Sequence, residues 1–195
     1  MQSTDYNLEL LEAMLEEIED FILSADIFWP LAKSPKSGNA TFPRLSIGGL
    51  LLTQDETRAQ EAEMSTGQKV QLSKLQQRWE ATLDKWRSGI QRKSEREMGM
   101  RLNLWRAYLS DLEEGNASRF DFEREARNRV LFARLKTLAP DNEEIHQMVD
   151  AIHSLDAQLL NLTAPSEFIW DERLQVIYPA DEYGYLRRQP RESSM

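Results

Sequence analysis

Hydrophobic positions recur at helical spacing along most of the chain. In about residues 5–26 the apolar side chains fall on one face about 160° wide, at about 100° of rotation per residue, and the acidic side chains fall on the opposite face. The apolar positions are Leu8, Leu11, Met14, Leu15, Ile18, Phe21, Ile22 and Ala25. Thr4 or Asp5 is placed to cap the N-terminus. This segment therefore predicts an amphipathic helix.

The next stretch interrupts the pattern. Residues 27–45 contain three prolines and one glycine, and they predict a long loop that Phe28 and Trp29 anchor. Residues 46–52 fit either a short strand with a turn or the start of a helix capped by Ser46. Thr53 and Glu56 have the spacing of a capping box, and the residues that follow, as far as 70, lack an apolar face wide enough to bury.

The longest periodic run covers about residues 68–113. Its apolar stripe consists of Leu72, Leu75, Trp79, Leu83, Trp86 and Ile90, and apolar residues return at Leu104, Trp105, Tyr108 and Leu112. One helix of this length would span about 68 Å. Polar residues 91–97 interrupt the stripe, and Gly89 and Gly99 each weaken a helix by about 1 kcal/mol relative to alanine. The pattern favours one long helix with a solvated middle over a break near Gly99.

Two further helices are predicted after this run. Gly115 marks a helix stop, and the pattern then restarts over about residues 119–138 until Pro140. Asp141 has the position of a cap for a helix over about residues 142–162, whose apolar stripe is well defined.

The C-terminal part has a different character. After Pro165 the two β-prone runs 168–170 and 174–178 predict either a small hairpin or an extended segment, and residues 189–195 predict disorder. The fold class is all-α: a four- to five-helix bundle built around one long helix, with an extended C-terminal segment. The predicted division is a helical domain over 1–162 and an extension over 163–195.

Composition narrows the function classes. The 195 residues include no cysteine, which excludes thiolate metal sites and cysteine nucleophiles. The net charge of −9 predicts repulsion from nucleic acid and from anionic membranes. No stretch has the apolar length of a transmembrane helix, and the first residues lack the pattern of a signal peptide. A cytoplasmic location is the expectation.

One group of residues has the spacing of metal ligands. It consists of Glu143, His146, Asp150 and His153. The E-x-x-H spacing resembles one half of a di-iron bundle site, but such sites need a second motif and further carboxylates. All four positions lie about 120–180° from the centre of the apolar stripe of their helix, so they point at water. We expect no metal site and no cofactor.

No catalytic constellation is present either. Neither histidine has an identifiable serine partner, and no nucleophile-elbow motif occurs. Gly48 and Gly49 lack the spacing of a phosphate-binding loop and predict a bend or a helix cap. The sequence therefore predicts no catalytic, cofactor-binding or metal-binding residue.

Charge is distributed unevenly. Residues 1–32 hold eight acids and no lysine or arginine, and residues 69–106 hold ten cations against four acids. Within the long helix one sector about 40° wide carries a basic strip: Lys74, Arg78, Lys85, Arg92 and Arg96. Glu80, Asp84 and Glu95 lie on the opposite flank. Pairing of the strip with acidic helices is favoured over phosphate binding, because no aromatic residues for base stacking interleave it.

The sequence thus predicts a non-enzymatic helical interaction or assembly protein. The alternatives are a small-ligand-binding protein or enzyme with a site under residues 27–53 and, less favoured, a nucleic-acid accessory protein. A helix about twice as long as its neighbours would leave part of the apolar stripe uncovered. An antiparallel homodimer through the long helix, or a helical protein partner, is therefore expected.

Overall fold

The computed structural model describes residues 2–36, 41–118 and 121–191. In these ranges the chain forms five α-helices and one two-stranded sheet, together with short 3-10 turns. The helices are α1 (Thr4–Leu23), α2 (Ile47–Ala59), α3 (Thr66–Glu113), α4 (Phe122–Lys136) and α5 (Glu143–Leu162), and the strands are β1 (Thr163–Pro165) and β2 (Arg188–Pro190). The predicted all-α bundle fold with one long helix is confirmed.

The chain divides into two compact units. Unit 1 is Met1–Glu97 and unit 2 is Met98–Met195, so the boundary falls inside α3. The C-terminal segment belongs to the same unit as α4 and α5. The predicted domain division after residue 162 stays a prediction.

Unit 1 is built from α1, α2 and the first part of α3. α1 begins after Ser3, whose Oγ accepts the Tyr6 N–H at 3.3 Å, so the cap lies just before the two positions predicted for it. Asp5 accepts a hydrogen bond from Gln68, and Glu19 accepts one from Lys85, which shows that α1 and α3 run in the same direction. Their buried faces supply most of the core of this unit.

The segment at 46–52 is helical. Ser46 caps α2 by accepting the Gly49 N–H at 3.0 Å. The predicted capping box at Thr53 is wrong: Thr53 lies inside α2, and its hydroxyl donates to the carbonyl oxygen of Gly49 at 2.9 Å. Ser46 already supplies the cap about two turns earlier, so the helix continues through Thr53.

Residues 27–36 lie along the acidic face of α1. The Trp29 indole N–H donates to Glu17 Oε2 and the Ala32 backbone N–H donates to Glu17 Oε1, both at 2.8 Å. Trp29 and Leu45 also pair through two backbone hydrogen bonds, which close the loop. The predicted loop and its anchor at Trp29 are confirmed for its described part, and residues 37–40 lie outside the described residues.

Unit 2 is built from the second part of α3, α4, α5 and the C-terminal segment. The predicted start of α4 at 119 lies outside the described residues, and the helix begins at Phe122. α5 is capped by Asn142, whose Oδ1 accepts the Ile145 N–H at 2.9 Å, and not by Asp141 as predicted. The Asp141 carboxylate lies instead 2.7 Å from Nε2 of His146.

The C-terminal segment forms strands at other positions than those predicted. β1 and β2 pair antiparallel with Thr163 opposite Pro190, whereas 168–170 is irregular and 174–178 falls mainly in the 3-10 turn Glu172–Val176. Tyr178 is buried in an aromatic cluster, where it contacts the half-buried Trp170 and the buried Tyr183. The predicted disorder is wrong for residues 189–191, because they pair with β1 and the end of α5, and residues 192–195 lie outside the described residues.

The middle of α3 differs most from expectation. Lys93, Ser94 and Glu97 are buried, so the predicted solvated middle is wrong. The helix continues through Gly99, and the non-helical residue is Trp86, with φ −116° and ψ 23°. None of the helices in the described part of the chain has both the length and the apolar character that crossing a bilayer requires.

Candidate functional site

The irregular backbone at Trp86 kinks α3 inside unit 1. Ser88 and Gly89 follow within one turn, and glycine–serine pairs are a common cause of sharp helix kinks. The Trp86 side chain is half-buried, whereas Trp79, two turns earlier on the same stripe, is buried. The kink thus turns one member of the apolar stripe partly towards solvent.

Gly89 permits a close approach between α3 and α1. A Cβ atom at this position would lie 2.5 Å from Cγ2 of Ile22, which is itself buried. Carbon atoms normally pack at about 3.5–4.0 Å, so only glycine allows this spacing. The contact fixes the end of α1 against the kinked turn of α3.

Cations of α3 bind the end of α1. Lys93 Nζ donates to the carbonyl oxygen of Ser24 at 3.1 Å, to its Oγ at 3.2 Å, and to the carbonyl oxygen of Asp26. Arg96 donates to the carbonyl oxygen of Ala25 at 2.8 Å. These bonds satisfy acceptors at and beyond a helix C-terminus, where a positive charge is also favoured by the helix dipole.

Lys93 is buried in this arrangement. Its side chain lies over the ring of Phe21, with Nζ 4.2 Å from the ring centroid. Burial lowers the pKa of Lys93, and the neighbouring Arg96 lowers it further, while Asp26 opposes the shift. Lys93 and Arg96 of the polar stretch 91–97 therefore bind the end of α1, and these contacts explain why Lys93 is buried.

An open groove lies beside these contacts. Its volume is about 400 Å³, and we call it the kink groove. Its lining residues are Ile22, Leu23, Asp84, Lys85, Trp86, Arg87, Ser88, Gly89 and Arg92. Leu23, the last residue of α1, is 66% exposed and lies on one side of the groove. The volume falls in the usual range for ligand-binding clefts of about 300–1,000 Å³.

Most of the charged residues that line the kink groove are cations. Lys85 binds Glu19 of α1 at 2.9 Å, and the pKa of Glu19 is lowered by this hydrogen bond and by the nearby indole N–H of Trp86. Arg87 lies 3.5 Å from Asp84, with side chains 72% and 82% exposed. Arg92 is exposed. Three cations thus face one acid among the lining residues.

The groove carries groups for binding and few for chemistry. Its lining includes no histidine and only one carboxylate, Asp84, which pairs with Arg87 at 3.5 Å, so it lacks a pair of acid–base groups. Across the ranges 2–36, 41–118 and 121–191, no three metal-ligating side chains lie close enough to hold an ion. The arrangement fits an apolar side chain beside Trp86 and an anionic group at the arginines.

The sequence candidates lie elsewhere. His146 is exposed and paired with Asp141, and Glu143, Asp150 and His153 are exposed on the same helix. Gly48 is the second residue of α2, and its N–H donates to Glu97 Oε2 at 2.9 Å, while the Ser46 hydroxyl donates to Glu97 Oε1 at 2.9 Å. A helix N-terminus favours an anion, and here a carboxylate of α3 takes that position. Both glycines lie in the first turn of α2, and the cap itself is Ser46.

The basic strip is partly used within the chain. Lys85 pairs with Glu19, and Arg96 binds a carbonyl oxygen after α1, which confirms the predicted pairing with the first helix for Lys85. The apolar stripe is mostly buried in unit 1: Leu72, Leu75, Trp79 and Ile90 are buried, and Leu83 and Trp86 are half-buried. The stripe of unit 1 therefore does not offer the exposed apolar surface from which a dimer was expected.

Unit 2 contains a buried charged cluster. Arg129 donates two hydrogen bonds to Asp156, at 2.8 and 2.7 Å, and its guanidinium lies 4.6 Å from the ring centroid of Tyr185. Burial opposes the charge of Arg129, but the bond to Asp156 and the electrostatic effects of Asp156, Tyr183 and Tyr185 together outweigh burial, and the pKa of Arg129 is raised. Burial also raises the pKa of Tyr185. These contacts join α4, α5 and the C-terminal segment, which is a structural role.

Sequence reasoning missed Leu23 and Arg87 as site residues. Leu23 falls outside the apolar face of α1, and Arg87 lies outside the basic strip, so neither belongs to a regular pattern. The signal that could have found them is the Ser88–Gly89 pair next to Trp86. No family model, curated protein or solved structure matches this chain.

Proposed function

We propose that this chain is a non-enzymatic helical interaction protein and that another protein docks in the kink groove. The observation that carries the proposal is the exposed Leu23 beside the half-buried Trp86, at the edge of an open cleft. A single exposed leucine is ordinary, but tryptophan next to an apolar rim in a concave site is typical of interface anchors. The lining has no histidine and no second carboxylate beside Asp84, which supports binding rather than catalysis.

The nature of the partner is also a proposal. Self-association or a helical protein partner was expected at the apolar stripe of α3. Because that stripe is mostly buried, we propose the kink groove as the contact surface for either partner. Nucleic acid is not favoured, because the chain carries a net charge of −9 and two cations of the basic strip already bind α1. A cytoplasmic location stays a prediction.

The alternative of a ligand site under the loop has less support. The indole N–H of Trp29 donates to Glu17 of α1, and Lys33 forms an ion pair with Glu16 of the same helix. The hydrogen bond to Glu16 raises the pKa of Lys33. These bonds fasten the loop to α1 and leave its described part with a structural role.

Site-specific photo-cross-linking tests the docking function. A photoreactive residue replaces Leu23, and a control places it at Val70, which is 50% exposed in unit 1 and outside the groove lining. In cells of the source organism we expect a discrete protein adduct from position 23 and none at the same mass from position 70. An adduct of twice the chain mass would identify a second copy as the partner. Equal labelling from both positions would contradict the proposal.

A further inference from the structure

We propose that the segment docking in the kink groove is an acidic amphipathic helix, an inference that rests on the proposed function. One apolar side chain of this helix lies against Leu23 and Trp86, and its carboxylates face the arginines of the rim. The partner is thus specified by its chemistry: an apolar anchor flanked by glutamate or aspartate.

Local charge selects an acidic partner. The chain as a whole is strongly acidic, so its distant charges would repel such a helix. At physiological salt, charges farther away than about 8 Å are largely screened, so the residues of the rim determine which sign of charge the groove attracts. There Lys85, Arg87 and Arg92 outnumber two acids, Asp84 and the Glu19 that pairs with Lys85, so the two arginines carry the local positive charge.

The two arginines are available for this role. Lys85 is held by Glu19 at 2.9 Å, but the contact of Arg87 with Asp84 is long, at 3.5 Å, and both side chains are largely exposed. Exposed pairs of this kind contribute little and exchange readily. Arg92 is exposed on the same rim. Guanidinium groups bind carboxylates through two parallel hydrogen bonds, which makes them suited to an acidic segment.

The shape of the site favours a helix over an extended peptide. The groove lies between the end of α1 and the kinked turn of α3, so its walls come from a helix end and a helical turn. Addition of a strand needs an exposed sheet edge, and the one sheet of the described residues belongs to unit 2. An amphipathic helix that inserts one apolar side chain into a groove is the recognition mode that matches an apolar anchor site between two helical elements.

Two synthetic peptides of about five helical turns test the inference. Both peptides carry leucine on the same helical face. The remaining positions are glutamate in one peptide and lysine in the other. Binding to the full chain is measured by fluorescence anisotropy of the labelled peptide. We expect the glutamate peptide to bind about ten-fold more tightly, the sum of two exposed ion pairs, and its affinity to fall as salt rises.

Charge-reversal variants locate the effect. Arg87→Glu with Arg92→Glu should reverse the preference between the peptides. The control, Lys74→Glu with Arg78→Glu, makes the same change in net charge on α3 outside the groove lining, and it should leave the preference in place. Circular dichroism of both variants verifies that they fold.

Three results would overturn the inference. They are equal binding of the two peptides to the wild type, tighter binding of the lysine peptide, and reversal by the control variant as strong as by the groove variant. If neither peptide binds while position 23 still cross-links to a partner, the acidic helix is wrong and the docking function stands. If position 23 fails to cross-link while the glutamate peptide shows the expected pattern, the groove binds acidic helices but the proposed cellular partner is wrong.

Discussion

Replacing Gly89 by alanine tests the contact on which the kink groove is built. The added Cβ would lie 2.5 Å from Cγ2 of Ile22, about 1 Å closer than a normal carbon contact. Ile22 is 1% exposed, so it has little room to move aside. Overpacking of this kind costs about 1–3 kcal/mol, while alanine gains about 1 kcal/mol over glycine in a helix. The expected net change is a loss of about 1 kcal/mol in the free energy of unfolding.

Gly99→Ala is a matched control on the same helix. There the nearest atom to an added Cβ is Cε of Met148 at 3.6 Å, an ordinary contact at the end of a flexible side chain. This substitution should raise the free energy of unfolding by about 1 kcal/mol. The two glycine variants should therefore differ by about 2 kcal/mol, although the chemical change is the same.

A second substitution identifies the atom responsible. Ile22→Leu removes Cγ2 while conserving side-chain volume, and alone it should cost less than about 1.5 kcal/mol. Combined with Gly89→Ala it should relieve the clash, so the double variant is more stable than the sum of the single changes.

Urea unfolding followed by circular dichroism measures each variant, and an unchanged slope shows that the midpoint reports stability. If Gly89→Ala stabilises the protein as much as Gly99→Ala does, the close approach of α1 and α3 does not exist in solution.

Three further predictions concern buried groups. Glu97→Gln should cost about 1–3 kcal/mol in urea unfolding, because the amide cannot accept hydrogen bonds with both ends from the N-terminus of α2; an unchanged midpoint would argue against that cap. Asp156→Asn should cost about 2 kcal/mol because it leaves the largely buried Arg129 without its counter-charge, whereas the exposed Arg124→Ala should cost less than about 1 kcal/mol; equal effects would contradict the burial of Arg129. Burial raises the pKa of Tyr108 to about 12 from 10.0, so its contribution to stability is complete below pH 10 and is lost as the pH rises towards 12. Tyr108→Phe should therefore make the decline of unfolding free energy over that range shallower, and an identical pH profile would refute the assignment.

Local patterns were sufficient to predict most helices. α1 and α5 each bury a regular apolar face, and their bounds lie within three residues of the prediction. Their caps were missed by about one residue, because Ser, Thr, Asp and Asn are chemically similar caps and the choice among neighbours depends on the entering chain. The strands at 163–165 and 188–190 could not be predicted, because each has three residues and pairs with a partner more than twenty residues away.

The candidate site depends on contacts that sequence periodicity does not contain. Residues 91–97 look solvated because they are polar, yet Lys93 is 2% exposed through bonds to residues 24 and 26, which lie far away in sequence. The same holds for Glu97, whose partners Ser46 and Gly48 cap α2. A polar residue is buried when a distant segment supplies its hydrogen-bond partners, and this pairing is invisible to a pattern of apolar and polar positions.

Lys93, which the sequence pattern placed in solvent, holds the end of α1 next to the kink groove. A methionine at position 93 could pack on Phe21 as well as the lysine stem does, but it could not bind the carbonyl oxygens of Ser24 and Asp26. Burial of the ammonium group has a cost, which its lowered pKa reflects, and the cost is offset by three acceptors that the end of α1 would otherwise expose. Because Lys93 and the close contact at Gly89 hold this end in place, α1 stops with Leu23 in solvent beside Trp86. The exposed leucine is thus a consequence of how α1 is anchored, and the same anchoring supplies the rigidity that a docking site requires.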